Sequence, residues 1–133
     1  MSRARAVIVP VTPFQQNCTI LWCEASMKAA IVDPGGDLQR IAEVIEKSGV
    51  TVEKILLTHG HIDHAAGADE ARDIYKVPIE GPHRADAFLL EALVEAGRGY
   101  GIPARNVVPD RWLEEGDEVR VGEGLFNARA VTQ

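Results

Sequence analysis

The sequence predicts an α/β fold, on three observations. Short runs of strand-forming apolar residues alternate with stretches whose apolar residues recur at helical spacing. The run Ala29-Ala30-Ile31-Val32 is continuously apolar, which suits a strand at the centre of a sheet. Glycine- and proline-bearing segments separate the elements without any internal repeat or low-complexity tract.

Arg5–Val9 and Cys18–Cys23 read as a pair of strands joined by a proline-bearing loop. The third strand, 29–32, is broken by Asp33-Pro34-Gly35-Gly36. A helix is expected from about Asp37 to Ser48, with Leu38, Ile41, Ala42 and Ile45 on one face and Gly49 as its stop. The segment 33–37 follows a strand and opens a helix, the setting of a phosphate loop. It lacks the required glycine and Lys-Ser/Thr spacings, and an aspartate at each end would repel phosphate. A fourth strand spans 53–58, and a helix is expected from about Ala65 to Lys76. Val77–Ile79 reads as a short strand and Arg84–Ala96 as a helix ending at Gly97, with His83 an exposed residue at its entry. Residues 97–109 form a long loop able to border a substrate site. Within it Tyr100 is either a substrate contact or a packing residue. Arg111–Leu113 and Glu118–Val121 read as further strands.

The chemistry concentrates in Thr58-His59-Gly60-His61-Ile62-Asp63-His64. Three of the four histidines of the chain, His59, His61 and His64, fall in six residues, with Asp63 among them. Imidazole and carboxylate are the ligands that zinc and similar divalent ions prefer. His59 and His61 stand two apart and project to one side of extended chain, while Asp63 and His64 follow a bend expected at Gly60. Two pairs of ligands on one short loop suit two ions sharing a hydroxide, a strong nucleophile near neutral pH. The competing reading has surface histidines beside a helix capped by Asp63, which leaves the clustering unexplained.

His59-x-His61-x-Asp63-His64 after an apolar strand resembles the signature of the metallo-β-lactamase superfamily. The segments 11–18, 31–36, 56–61, 109–113 and 115–117 further resemble its small glyoxalase II-like (hydroxyacylglutathione hydrolase) branch. The resemblance implies the N-terminal half of a four-layer αββα sandwich. It also implies His59 and His61 on a first metal, Asp63 and His64 on a second, and Asp63 as a catalytic residue. Asp33 would lie behind these ligands and orient them, with a plain turn role at a strand end as the alternative. The implied metal is zinc, two ions in a complete fold, with iron or manganese as alternatives. The implied activity is hydrolysis of thioesters or esters, a glutathione conjugate among the candidate substrates, by a metal-bound hydroxide. A mononuclear iron persulfide dioxygenase of the same superfamily and a non-catalytic metal-binding fragment are the alternatives. Relatives carry further ligands in a second half, including a histidine in a Cys-Pro-Gly-His-type segment. Here no histidine follows His83 and no aspartate follows Asp117. The expectation is therefore one domain, 1–133, that departs from the family pattern after about residue 126. Its activity is expected to fall far below that of a complete relative.

A net charge of −6 disfavours nucleic acid as a partner. No apolar run is long enough for a membrane span, and Met1–Arg5 opens no convincing signal peptide, so the cytoplasm is the expected location. Cys18 and Cys23 are five residues apart on one strand, too far for a disulfide, and are expected to be reduced and partly buried. A first-half chain would leave Val7, Val9, Ile20, Ile31 and Leu56 without cover, so self-association through that face is expected.

Overall fold

The computed structural model describes residues 4–122 and 124–127. The expectations for the first three residues, for the turn at Glu123 and for the ending from residue 128 onward lie outside the described residues.

A five-stranded sheet forms the middle of the molecule, in the order β1 (Ala4–Val11), β2 (Gln16–Cys23), β3 (Lys28–Val32), β4 (Thr51–Leu56), β5 (Ile79–Glu80). β1, β2 and β3 pair antiparallel, and β3, β4 and β5 pair parallel. The change of sense at β3 follows from the connections: tight turns join the first three strands, whereas a helix carries the chain from β3 to β4. That helix, α1 (Leu38–Ser48), buries Ile41 and Ile45 and ends at Gly49 in the left-handed conformation, φ 71°. Ala42, expected on its apolar face, is exposed.

α2 (Ile62–Ala65), α3 (Ala68–Tyr75), α4 (Ala87–Leu90) and α5 (Leu93–Tyr100) join α1 on one side of the sheet. Val9, Cys18, Ile20, Ile31 and Ile55 on the strands, and Leu57 just after β4, enter this core and meet Ile41, Ala65, Ala71, Leu90 and Leu93. A hairpin, β6 (Glu118–Val121) with β7 (Gly124–Asn127), lies on the other side. Its Val119 and Val121 pack with Ala30, Val32, Leu56 and Leu113 in a second, smaller core.

Two cores correct the expectation of an uncovered sheet. Val9, Ile20, Ile31 and Leu56 are all buried, the first three beneath the helices and Leu56 beneath the hairpin, and Val7 is partly buried. Strand alternation sends neighbouring residues to opposite faces, and each face at the sheet centre has its own cover. Ile8, on the hairpin's side of β1, remains 59% exposed.

Several boundaries differ from those expected. The helix expected over 65–76 is two helices interrupted at Gly67, where an added Cβ would lie 2.6 Å from the Pro34 carbonyl oxygen. The helix expected over 84–96 is a 3-10 turn (Arg84–Asp86) followed by α4 and α5. Gly97 does not end α5. It is buried there because Ile102 O approaches to 2.4 Å of where a Cβ would sit, and the left-handed cap falls at Gly101, φ 69°. Arg111–Leu113 contributes only an isolated bridge from Arg111 to Glu80, since Arg111 and Leu113 spend their backbone groups on the 79–82 segment. His83 is exposed and caps the 3-10 turn, its Nδ1 accepting from Ala85 N at 3.0 Å. Cys18 and Cys23 are both buried. Among the described residues no helix is long and apolar enough to cross a membrane.

Candidate metal centre

Parallel strands deliver their C-terminal ends to the same edge of a sheet, and here that edge carries Asp33 after β3 and Thr58–His64 after β4. Asp33 is 4% exposed and adopts φ 56°, a left-handed conformation that aspartate tolerates better than most residues. Its backbone N–H donates to Leu56 O at 2.9 Å, so it is still zipped to β4. Its carboxylate then reaches the segment after β4. Oδ1 accepts from Thr58 N at 2.8 Å, and Oδ2 lies 2.5 Å from Thr58 Oγ1 and 2.9 Å from His64 Nδ1. Asp33 therefore ties both Thr58 and His64, on either side of the histidine-rich turn, to the end of β3.

The three imidazoles converge. Ring centroids lie 5.0 Å apart for His59 and His64, 5.9 Å for His59 and His61, and 6.5 Å for His61 and His64. Asp63 Oδ2 lies 3.7 Å from His64 Nε2. Two donor atoms on one tetrahedral ion, with bonds of roughly 2.0–2.2 Å, stand roughly 3.4 Å apart, so this pair fits a shared ion with little movement. One donor atom each from Asp33, His59 and His64 also falls within a 4.8 Å cluster that could hold a metal. Both oxygens of Asp33 are also engaged with Thr58 and His64. Burial opposes a charged His64, but the Asp33 hydrogen bond and the charges of Asp33 and Asp63 outweigh it and raise its pKa above the ordinary imidazole value.

Close backbone approaches set the position of this loop. Gly60 was expected to supply a sharp turn, but it is not among the residues with positive φ. Its requirement is space: its N–H donates to Asp86 Oδ2 at 2.9 Å, and an added Cβ would crowd Asp86 O and Leu89 at 3.0 Å. His61 is the residue before α2, extended at φ −67°, ψ 153°. Asp63 is in the first turn of that helix and caps nothing with its side chain.

His61 and Asp63 also form one wall of a groove of about 380 Å³. Phe14, Ile62, Leu89, Leu93 and Tyr100 make it largely apolar. Phe14 and Tyr100 meet edge to face at 5.2 Å, both substantially exposed. Tyr100 thus does both things considered for it, packing on Phe14 and bordering the groove. A larger groove of about 690 Å³, between the Thr12 turn and residues 101–105, touches none of the three histidines and is not where the reactive groups are. Thr58 and Phe14 had no assigned role in the sequence reading. Spacing does not separate a threonine that ends a strand from one that serves its neighbours, and Phe14 reaches the groove only through the β1–β2 turn.

Residues 11–130 match the Metallo-beta-lactamase superfamily, and the chain belongs to that superfamily. Its members bind metal ions. Among relatives, hydroxyacylglutathione hydrolase GloC of Haemophilus influenzae is 40% identical over 119 residues, covering 89% of this chain and 56% of the relative. The probable metallo-hydrolase YqgX of Bacillus subtilis is 31% identical over 115 residues, covering 86% of this chain and 54% of the relative. Of solved structures, the BLEG-1 B3 metallo-beta-lactamase superimposes with TM-score 0.77 at 29% identity, over 92% of this chain and 59% of that one. TTHA1623 in a di-iron-bound form superimposes with TM-score 0.75 at 26% identity, over 85% and 56%. The chain spans about half the length of the curated relatives it matches.

Proposed function

We propose that this chain carries the metal-binding half of a hydrolase of thioesters or esters, of the hydroxyacylglutathione hydrolase type. The observation that carries the reading is the convergence of His59, His61, Asp63 and His64 at the end of β4, beside an apolar groove. Similarity to the hydroxyacylglutathione hydrolase GloC supports a small thioester as substrate, glutathione conjugates among the candidates. His59 and His61 are the ligands of one ion, Asp63 and His64 of a second, and Asp33 orients them. Zinc suits this nitrogen and oxygen donor set, and iron and manganese suit it as well. Whichever ion binds would act as a Lewis acid and lower the pKa of water.

The residues of the chain do the rest. Asp63 and His64 fix the direction from which water meets the substrate. The groove takes the apolar part of the substrate against Phe14 and Tyr100 and excludes water from it. Two copies of the chain associate through the face of β1 that leaves Ile8 59% exposed.

The test is thioester hydrolysis by the purified chain with zinc, iron or manganese, with and without chelator, and with oxygen uptake followed in parallel. Hydrolysis lost on chelation, without oxygen uptake, is expected. Equal metal uptake by the wild type and a His59→Ala/His61→Ala double variant would sink the metal assignment. Oxygen consumption would turn the reading toward a dioxygenase.

A further inference from the structure

Thr58 stands between the buried carboxylate and the first histidine. Its hydroxyl oxygen lies 2.5 Å from Asp33 Oδ2 and 2.9 Å from His59 Nδ1. Its backbone N–H separately donates to Asp33 Oδ1 at 2.8 Å. The hydroxyl has one proton and must choose between its two neighbours.

The carboxylate settles the choice. As an ionised group Asp33 only accepts, so both of its contacts at Oδ2 must be donors. Thr58 O–H therefore points at Asp33, and its lone pairs face His59. An oxygen that has spent its proton can only accept, so His59 Nδ1 carries the hydrogen. In a neutral imidazole the other nitrogen, Nε2, then has the free lone pair. His64 reaches the same arrangement in one step, because its Nδ1 meets Asp33 Oδ2 directly at 2.9 Å.

We propose that Thr58 is a positioning residue that fixes His59 in the Nδ1–H tautomer, so that one carboxylate sets the ligand nitrogen of two histidines. Asp33 presents Nε2 of His64 by direct contact and Nε2 of His59 through the Thr58 hydroxyl. A metal ligand needs a lone pair on the nitrogen facing the ion, and the hydrogen bond at the other nitrogen decides which one has it. The inference rests on His59 being a ligand, as the functional reading holds.

Thr58→Val keeps the backbone N–H bond to Asp33 and removes only the hydroxyl. Thr58→Ser keeps the hydroxyl. The first readout is the tautomer of His59 in the metal-free chain at alkaline pH, from nitrogen–proton correlations across the ring. The second is zinc affinity by calorimetric titration. Wild type and Thr58→Ser should hold His59 as Nδ1–H and bind zinc alike. Thr58→Val should populate both tautomers and bind zinc roughly 10–100-fold more weakly, the usual effect of losing such a support. A merely structural threonine would change the melting temperature and leave the tautomer where it was. An Nε2–H tautomer in the wild type overturns the proposal, even if Thr58→Val does not fold. So does unchanged tautomer and affinity in a folded Thr58→Val, or a folded Thr58→Ser that behaves like Val. Failure of the hydrolase reading is distinct: it removes thioester turnover and leaves the tautomer readout untouched.

Discussion

The carbonyl of Asp63 occupies the space where a side chain on Gly35 would begin: an added Cβ there would lie 1.8 Å from Asp63 O. The turn after β3 and the histidine-rich loop after β4 are thus in backbone contact. Gly35→Ala should push Asp63 and His64 away from Asp33. Overpacking of this kind costs about 1–3 kcal/mol, and a backbone obstacle belongs at the upper end. Zinc affinity should fall with it. Gly99→Ala is the control, because nothing lies within 4 Å of its added Cβ. Calorimetric melts and zinc titrations of both variants check the pair, and equal behaviour would remove the packing argument.

Asp33→Asn should keep the turn, since asparagine also tolerates a left-handed φ. It places an amide NH2 or a single carbonyl where two oxygens now accept three hydrogens. At least one of Thr58 and His64 then loses its acceptor. Zinc affinity is expected to drop roughly 10–100-fold with a much smaller change in stability. Full retention of affinity would return Asp33 to the plain turn role.

His64 gives the metal-free chain a pH dependence with a definite sign. Despite burial, Asp33 and Asp63 hold its pKa above the 6.5 of an unperturbed imidazole. A raised folded value stabilises the fold fully below pH 6.5, and the contribution fades as pH rises through the folded value. Melting temperatures of the chelated wild type, measured against His64→Gln across this range, should converge toward alkaline pH. Parallel curves would contradict the assigned partners.

Glu80 accepts from Lys54 Nζ at 2.8 Å and from Arg111 Nη1 at 3.1 Å, and the Lys54 and Glu80 side chains are only 13% and 12% exposed. Glu80→Ala leaves a nearly buried ammonium without its partner, at a cost of about 3 kcal/mol. Replacing Lys54 and Glu80 together by methionine and leucine should recover most of that. Denaturant unfolding of the single and double variants measures it, and a single variant within error of wild type would make the pair dispensable.

Phe14→Ala opens the groove without touching the histidines. For thioesters with an apolar acyl group, KM should rise about tenfold, the scale of one apolar contact, while kcat holds. Metal affinity should not change. A fall in kcat with KM constant would place Phe14 in the chemistry rather than in binding.

The candidate site was legible because its signal is local: three histidines and an aspartate within six residues, after an apolar strand. The β3–α1 connection was legible for the same reason. What escaped depends on residues far apart in sequence. Gly97 looks like a helix stop, and only the approach of Ile102 O reveals a glycine kept for space. The break at Gly67 depends on Pro34, and the cover over Leu56 depends on Val119 and Val121. Hydrophobic period told which residues want burial and not what would bury them. Thr58 could be read as the end of a strand, but its tie to Asp33 spans 25 residues.

Leu56 and Leu57 are adjacent, both at 0% exposure, and they enter different cores, one under the hairpin and one under the helices. One residue later the chain reaches Thr58. The last rung before the histidine-rich loop is therefore gripped from above and below, and it cannot roll about its own axis without opening a void on one side. The groove wall at Phe14 and Tyr100 has no such restraint. Substitutions that alter what is bound can accumulate in the surrounding turns while the point from which the histidines are aimed stays registered to the rest of the sheet.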